Sequence, residues 1–381
     1  MEQKRIYADY AATTPLSHAA FAAMQPWMTG FCGNASAIYE EGREAARALY
    51  AARGSVADCL HAKQNEIYFT SGGTESDNWA ARELARLGAA SGKWHIVSTE
   101  MEHHAVLHAL RRLEKEGFSV TLLKPDADGI VQPDALREAL RPDTAFASIM
   151  YANNEIGTLQ PIRQLAEICH AQGVLLHTDA VQAAGHVPLD AEADGFDLLS
   201  LSAHKFHGPR GMGALYVRSN VRLGSFLEGG AQERGRRAGT ENLPGAVGMA
   251  AALSEACAAL PETMPYVQSL RERLIDGLTA VLPELRLNGS RSLRLPGNVN
   301  VSIPGIESEA LLWRLDRMGV SASAGAACAS GSLDESHVLR AIGCPRELSR
   351  SAVRFSLDRE TTEEEVGQLI ERVQEAAEVL R

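Results

Sequence analysis

The chain has no CxxC pair. Its six cysteines (Cys32, Cys59, Cys169, Cys257, Cys328 and Cys344) are widely scattered, so neither a disulfide framework nor a zinc knuckle is expected, and a reducing cytoplasm fits best. No apolar run follows Met1, because Met1-Glu2-Gln3-Lys4-Arg5-Ile6-Tyr7-Ala8-Asp9 lacks the core of a secretory signal. No segment is expected to reach membrane-span length, and no internal repeat is visible. Positive charge is in deficit, with 37 Lys+Arg against 48 Asp+Glu and a net charge of -11, which disfavours generic binding to nucleic acid or to an anionic membrane. What is present is ordinary soluble composition, 45% hydrophobic and 22% charged. The 381 residues supply about two to three domains' worth of chain.

Between about residues 65 and 220, short apolar runs alternate with helix-length segments. The predicted strands are 67–70, 95–98, 120–123, 145–150, 174–177, 198–201 and 214–217, and Ile162 to Gln172 is one of the intervening helices. This rhythm predicts an α/β fold, a mostly parallel seven-stranded sheet with ligands at the strands' C-terminal ends. The connection from Lys205 to Ala214 is too short for a helical crossover, so one strand is expected to be antiparallel. A helical stretch from Pro244 to Leu282 is expected to be broken by Pro261, Pro265 and Pro283. Beyond it, residues 298–303 read as a half-buried alternating strand, 309–318 as a helix and 353–357 as a strand. A final amphipathic helix opens with the capping box Thr361-Thr362-Glu363-Glu364-Glu365. We expect a large domain over 15–259 and a smaller α+β domain built from 1–14 and 260–381.

Lys205 follows the buried run Phe196-Asp197-Leu198-Leu199-Ser200-Leu201, and an ammonium at such a sheet edge is costly without a partner or a covalent use. A neighbouring run, Val174 to His177, leads into Asp179-Ala180-Val181-Gln182. A lysine able to form a Schiff base, with an acid to hold a pyridinium nitrogen, is what pyridoxal 5'-phosphate (PLP) requires. This pairing points to the cofactor but not to the reaction.

Other segments carry weaker signals, each with an ordinary alternative. Thr70-Ser71-Gly72-Gly73-Thr74-Glu75-Ser76 joins a strand to a helix start and could cradle a phosphate, or be a plain βα turn. His103, after a strand, could stack on a flat cofactor. His104 and His108 share a helix face, but no HExxH order or cysteine cluster supports a metal, and both are assigned structural roles. Asn153-Asn154-Glu155-Ile156-Gly157 is a turn that could offer an amide to a ligand. The loop Arg234 to Thr240 is basic and could meet a phosphate or another subunit, or simply be solvated. Cys328 lies in a run from Ser321 to Ser332 made only of Ser, Ala, Gly and Cys. With no bulky residue to anchor it, Cys328 is expected on a mobile loop as an exposed nucleophile. Arg354, between Val353 and Phe355, could fork a carboxylate or form an exposed-edge salt bridge.

Together these segments, with Tyr7 to Pro15, Ser202-Ala203-His204-Lys205, Arg237-Ala238-Gly239-Thr240, Gly325-Ala326-Ala327-Cys328, Ser336-His337-Val338-Leu339-Arg340 and Val353 to Leu357, resemble the NifS/IscS cysteine desulfurases. These form a branch of the class V aminotransferases among fold-type I PLP enzymes. The resemblance runs through the whole chain in order. It implies that Lys205 carries PLP, Asp179 pairs with the ring nitrogen, Gln182 bonds the phenolic oxygen and His103 stacks on the ring. It implies further that Gly73, Thr74, Ser202 and His204 hold the phosphate, and that Thr240 reaches the phosphate of the partner subunit in a homodimer. Asn154 and Arg354 would hold the substrate carboxylate.

The activity implied is conversion of L-cysteine to L-alanine, with sulfur left as a persulfide on Cys328 and passed to an acceptor protein. As in group I members, that acceptor would be an iron–sulfur scaffold, with Cys328 able to ligate a cluster transiently, or a tRNA-thiolation enzyme. A selenocysteine lyase or a small-amino-acid aminotransferase of the same fold is the alternative. Four departures from the family pattern stand out: Asp358 and Gly73 replace a usual glycine and a common alanine, Ala203 replaces a common glycine, and residues 33–39 lack the usual Pro-Ser and following His.

Overall fold

In a computed structural model that describes residues 5–324 and 335–381, the seven expected strands form one sheet. They are β1 (Ile67–Thr70), β2 (His95–Thr99), β3 (Ser119–Leu123), β4 (Thr144–Ser148), β5 (Leu175–Asp179), β6 (Leu198–Ser202) and β7 (Gly213–Val217). Their order is β1-β7-β6-β5-β4-β2-β3. Neighbours from β6 through β3 are parallel, and β7 runs antiparallel between β6 and β1, as the short Lys205–Ala214 link requires. Because β1 and β6 are both antiparallel to β7, they point the same way. The C-terminal ends of β1, β2, β4, β5 and β6 therefore share one edge.

The helices α1 (His18–Met28), α2 (Glu40–Cys59), α3 (Gly73–Ala90), α4 (His104–Lys115) and α5 (Ile162–Ala171) belong to this part of the chain. Val97, Ala147, Leu176, Leu199 and Leu201 pack with α2 and α5 residues in one apolar cluster. Ile96, Phe146, Leu198 and Leu215 pack with Trp79, Leu84, Val106 and Leu110 of α3 and α4 in another. Successive strand residues thus face opposite clusters, which is why the strand sequences read as continuous apolar runs rather than alternating ones.

The segment after residue 242 departs from expectation. A single helix, α6 (Leu243–Val281), runs through Pro261 and Pro265. An interior proline costs roughly 3 kcal/mol, yet both are exposed. Being four residues apart, they lie on one face, where the carbonyls they leave without a donor can be hydrated. The buried positions compensate, since Ala246, Met249 and Leu253 join the sheet's cluster while Val267, Leu270, Leu274 and Leu278 join a third. The helix is also apolar and long enough to cross a membrane, contrary to the sequence expectation, but half of its most apolar window is buried inside the protein.

The third cluster gathers Ile6, Ala8, α6, α7 (Ser308–Arg317), α8 (Glu363–Leu380) and the strands β8 (Asn298–Ser302) and β9 (Ala352–Ser356). Thr362 and Glu365 cap α8 reciprocally, as the capping box predicts. β8 is not half-buried: all five of its residues are buried. Its polar face is covered by the loop after β4 and by Asn288. Asn298 and Asn300 both donate to the Glu155 carbonyl, at 3.2 and 3.1 Å, and Asn288 donates to Asn300 Oδ1 at 2.9 Å.

Asp358, two residues past β9, is buried and lies 3.1 Å from His207 Nε2; the other ring nitrogen of His207 lies 3.0 Å from the Pro15 carbonyl. The residue that departs from the family pattern thus ties the C-terminal strand to the chain just after Lys205. Although burial opposes it, the bond to Asp358 holds the His207 pKa above its usual value, and the reciprocal bond holds Asp358 below its own. A raised histidine loses its stabilising effect as pH rises through the folded value, and a depressed aspartate loses it as pH falls through its own. Asp358→Asn is therefore expected to destabilise by about 1–3 kcal/mol, most strongly near pH 5–6 and less above pH 8. Thermal unfolding across that range checks this.

Candidate active site

The shared strand edge opens onto a cavity of about 310 Å³ lined by residues from every one of those strand ends, among them Gly73, Thr74, Asp77, His103, Asn154, Asp179, Gln182, Ser202, His204, Lys205 and Arg354. Asp179 ends β5, where it is buried, and its Oδ1 accepts from the Val181 N–H at 2.9 Å. Lys205 lies in the short turn Ala203–Lys205 that continues β6, and its Nζ donates to the Ala11 and Ala12 carbonyls at 2.7 and 2.9 Å. Gln182 also donates to the Ala11 carbonyl, at 2.9 Å. The N-terminal segment, Tyr7 to Pro15 by sequence, is thus a wall of the site.

His103 caps α4, its Nδ1 accepting from the Ala105 N–H at 3.2 Å, and burial lowers its pKa. At the start of α3, Gly72 takes a backbone conformation, φ +153°, that favours glycine, and Gly73 and Gly213 are confined by space. A Cβ on Gly73 would lie 2.6 Å from the Val181 side chain, and one on Gly213 would lie 2.5 Å from Gly72 Cα. The N-cap of α3 is Gly72, which has no side chain to cap the helix, and the first helical residues Gly73 and Thr74 line the cavity with Ser202 and His204, an arrangement suited to an anion. Burial lowers His204 to about 4, so it meets such an anion as a neutral ring. Arg354 is almost wholly buried, pairs with Asp9 at 2.8 Å and donates to the Asn154 carbonyl at 2.7 Å. This salt bridge is buried rather than exposed. Asn153 is the turn builder of its pair, accepting from the Glu155 and Ile156 N–H groups, whereas Asn154 lines the cavity.

One predicted residue lies elsewhere. Thr240 is exposed and is not part of this cavity's lining. Its loop folds back on the protein: Arg237 pairs with Glu75 at 2.8 Å and Arg234 covers the Tyr68 ring at 3.9 Å. Cys328 lies outside the described residues.

Sequence reasoning missed several contributors. His104 lines the cavity and stacks between His108 and His337, with ring centroids 5.0 and 4.9 Å apart, and His337 also lines it. Asp77, one turn into α3 from Thr74, is fully buried. Its Oδ1 has no hydrogen-bond partner among the described residues and lies 3.6 Å from His177 Nε2. Oxygens of Asp77 and Asp179 and a nitrogen of His103 lie within 4.8 Å of one another. The Lys205 ammonium already acts electrostatically on both Asp179 and His103. We read the trio as an acid pocket for a protonated ring nitrogen rather than as a metal centre.

Glu102 joins these acids, accepting from the Met150 N–H at 2.8 Å and from the Thr99 hydroxyl at 3.1 Å. Burial raises all three carboxyls, and the Asp179 charge adds to the rise of the other two: Glu102 is raised to about 8 and Asp77 well above its usual value, while His103, the Val181 N–H and Lys205 partly offset the rise of Asp179. His177 is pushed down to about 3 by burial and stays neutral. Like charges this close do not all ionise, so the cluster is short of positive charge. A buried acid group awaiting a cation at one side, with an uncapped helix N-terminus and a lysine on neighbouring strand ends, fits PLP.

Comparison with known proteins agrees with this geometry. The family model for aminotransferase class V matches residues 6–369; the chain belongs to that family, whose enzymes depend on PLP. Within it, the chain is 50% identical over 380 residues to a protein named cysteine desulfurase IscS from Methanosarcina thermophila, spanning all of this chain and 94% of that one. A Clostridium botulinum protein of the same name is 46% identical, covering 97% and 93%. Among solved structures, a NifS-like protein superposes with a TM-score of 0.92 at 35% identity, covering 98% of this chain and all of the other. A structure described as SspA in complex with cysteine superposes at 0.82 with 34% identity, covering 94% and 100%.

A carboxyl that holds its proton more tightly when folded costs stability as pH climbs from its unfolded to its folded value. Removing the Glu102 charge by Glu102→Gln, which keeps an oxygen for Met150 and Thr99, is therefore expected to raise the unfolding temperature of the cofactor-free protein at pH 8. The gain should shrink as pH falls towards 5, which thermal unfolding at the two pH values would show.

Proposed function

We propose that this chain is a PLP-dependent cysteine desulfurase that converts L-cysteine to L-alanine. The observation that carries the reading is the single cavity in which Lys205, the buried group Asp179, His103 and Asp77, and Arg354 converge. Lys205 would carry the cofactor, Asp179 would face its ring nitrogen, Gln182 its phenolic oxygen and His103 its ring face. Gly73, Thr74, Ser202 and His204 would hold its phosphate. When bound, PLP supplies an electron-withdrawing ring that lowers the cost of removing the proton from the substrate Cα.

The protein's own contribution is orientation and proton transfer. Arg354, already held by Asp9 and the Asn154 carbonyl, offers the substrate carboxylate a fixed guanidinium, and Asn154 assists it. Lys205 Nζ, steered by the Ala11 and Ala12 carbonyls, would be the group that takes the substrate Cα proton with PLP bound. The neutral ring of His103 can relay a proton at the same face. The Cys328 thiolate then attacks the substrate sulfur. The new S–S bond forms as the Cβ–S bond breaks, Cβ takes up a proton, Lys205 returns a proton to Cα, and alanine leaves while the persulfide stays on Cys328.

We further read the enzyme as a cytoplasmic homodimer, with Thr240 completing the partner's phosphate site. The exposed apolar residues Phe21, Met28, Ile38, Tyr39 and Tyr50 on and between α1 and α2 support such an interface. The sulfur acceptor in this reading is an iron–sulfur scaffold or a tRNA-thiolation enzyme, and the chain divides into 15–259 and a smaller unit of 1–14 with 260–381.

The purified protein should show the visible absorbance of bound PLP and release alanine and sulfide from L-cysteine. Amino transfer to a keto acid, indifferent to Cys328, would instead mark an aminotransferase. Cys328→Ala should keep the cofactor absorbance and lose roughly 10³-fold or more in alanine formation; full persulfide transfer by that variant would refute the assignment. Arg354→Lys, which cannot fork a carboxylate, should raise KM for cysteine about ten- to hundred-fold with a smaller change in kcat, as steady-state kinetics would report.

A further inference from the structure

His186 lies in the turn after β5, on the same stretch of chain as Asp179 and Gln182. Its Nε2 lies 2.9 Å from the Lys205 carbonyl oxygen. A carbonyl only accepts, so Nε2 carries the proton and donates it to this bond. The bond joins the segment that presents Asp179 and Gln182 to the lysine itself. His186 does not line the cavity of the site, so any effect it has on a ligand there passes through Lys205.

The surroundings leave this stretch little freedom. Gly185 is left-handed at φ +77°, and a Cβ on it would lie 2.8 Å from Phe206 Cβ. His207 is left-handed too, at φ 64°, a costly conformation for a residue with a side chain. Its N–H donates to Thr14 Oγ1 at 2.7 Å and its carbonyl accepts from the Ser17 N–H at 3.0 Å. Its ring meets Asp358 at 3.1 Å and the Pro15 carbonyl at 3.0 Å. The His204 carbonyl accepts from the Thr14 N–H and hydroxyl, at 3.0 and 2.9 Å. The N-terminal segment thus fixes the chain on either side of Lys205, and His186 holds the Lys205 carbonyl between them. His186, Phe206, His207 and Asp358 line one small cavity of about 30 Å³, so these holding groups are packed together.

We propose that His186 is a positioning residue for Lys205: it fixes the peptide from which the lysine reaches PLP and ties that peptide to the turn bearing Asp179 and Gln182. The Ala11 and Ala12 carbonyls steer the tip of the lysine side chain, and His186 steers its root. A lysine that bonds to the cofactor and later takes a proton from the substrate needs its Nζ within a narrow range of positions. A shift of the peptide is carried along the four-carbon stem to that atom. The role rests on the reading of Lys205 as the PLP-bearing residue, but it does not depend on which amino acid the enzyme consumes.

The test strips PLP from the full-length protein, mixes it back and follows the visible absorbance, comparing His186→Ala, His186→Gln and His186→Asn. A glutamine amide nitrogen can reach the place of the histidine Nε2, whereas an asparagine amide reaches only that of Nδ1. His186→Ala and His186→Asn should capture PLP roughly ten-fold more slowly than the unaltered protein and lose about the same factor in kcat for cysteine. KM should move less than about two-fold, because Arg354 and Asn154 bond to each other and not to His186. His186→Gln should restore both rates. The contrast between Gln and Asn holds even where His186→Ala lowers stability, since both amides are polar and close in size. Capture rates unchanged in His186→Ala and His186→Asn would overturn the proposal, as would a His186→Gln variant as slow as His186→Asn. An unaltered protein that develops no visible absorbance with PLP would instead refute the reading of Lys205 on which the role rests.

Discussion

The pairing of β5 with β6 is the constraint on which the site depends. Its register sets Asp179 opposite Ser200, so the chain leaves β6 towards Lys205 beside the carboxyl that ends β5. Both strands are parallel and covered on both faces, which commits their apolar side chains to the interior and leaves the polar residues at their C-terminal ends as the ones facing the cavity. The antiparallel β7 then brings β1 into the same direction, and with it the glycine turn before α3. Gly213 of β7 passes against that turn so closely that a Cβ on it would lie 2.5 Å from Gly72 Cα.

Around this edge the rest of the chain acts as a clamp. The N-terminal residues Ala11 and Ala12 accept from Lys205, and Asp9 holds Arg354. Asn298 and Asn300 of β8 fix the loop that presents Asn154, through the Glu155 carbonyl. Asp358 reaches back to His207. Segments more than a hundred residues apart thus meet by hydrogen bonds that are individually modest but sit in buried surroundings, where leaving any one partner unsatisfied is expensive. The buried acids Asp77, Glu102 and Asp179 are the counterpart: they are costly by themselves, and a cofactor cation relieves the cost.

Most of the architecture was legible because periodicity reports burial directly. All seven strands of the large sheet, the antiparallel link and the capping box of α8 followed from local pattern. The failures came where distant packing overruled a local rule. Pro261 and Pro265 did not break α6, because its buried faces serve two clusters while both prolines face solvent. The alternation of β8 did not mean exposure, because its polar side chains bond to a loop from the other part of the chain. Asp77, His104 and His337 were overlooked because no local signal separates a residue that lines a cavity from one that faces solvent or core.

The amino-acid sequence by itself determined the chemistry available to the protein: a lysine and an acid at the ends of apolar strands, a glycine turn before a helix, and an ordered set of motifs matching one enzyme family. These are properties of residue type and spacing, which local physics makes readable. Only the tertiary structure decided which groups share a cavity and how three carboxyls come to be buried together. Proximity between distant residues is a product of packing, and the proton affinities that follow depend on burial and neighbouring charge, neither of which is written in the order of the residues.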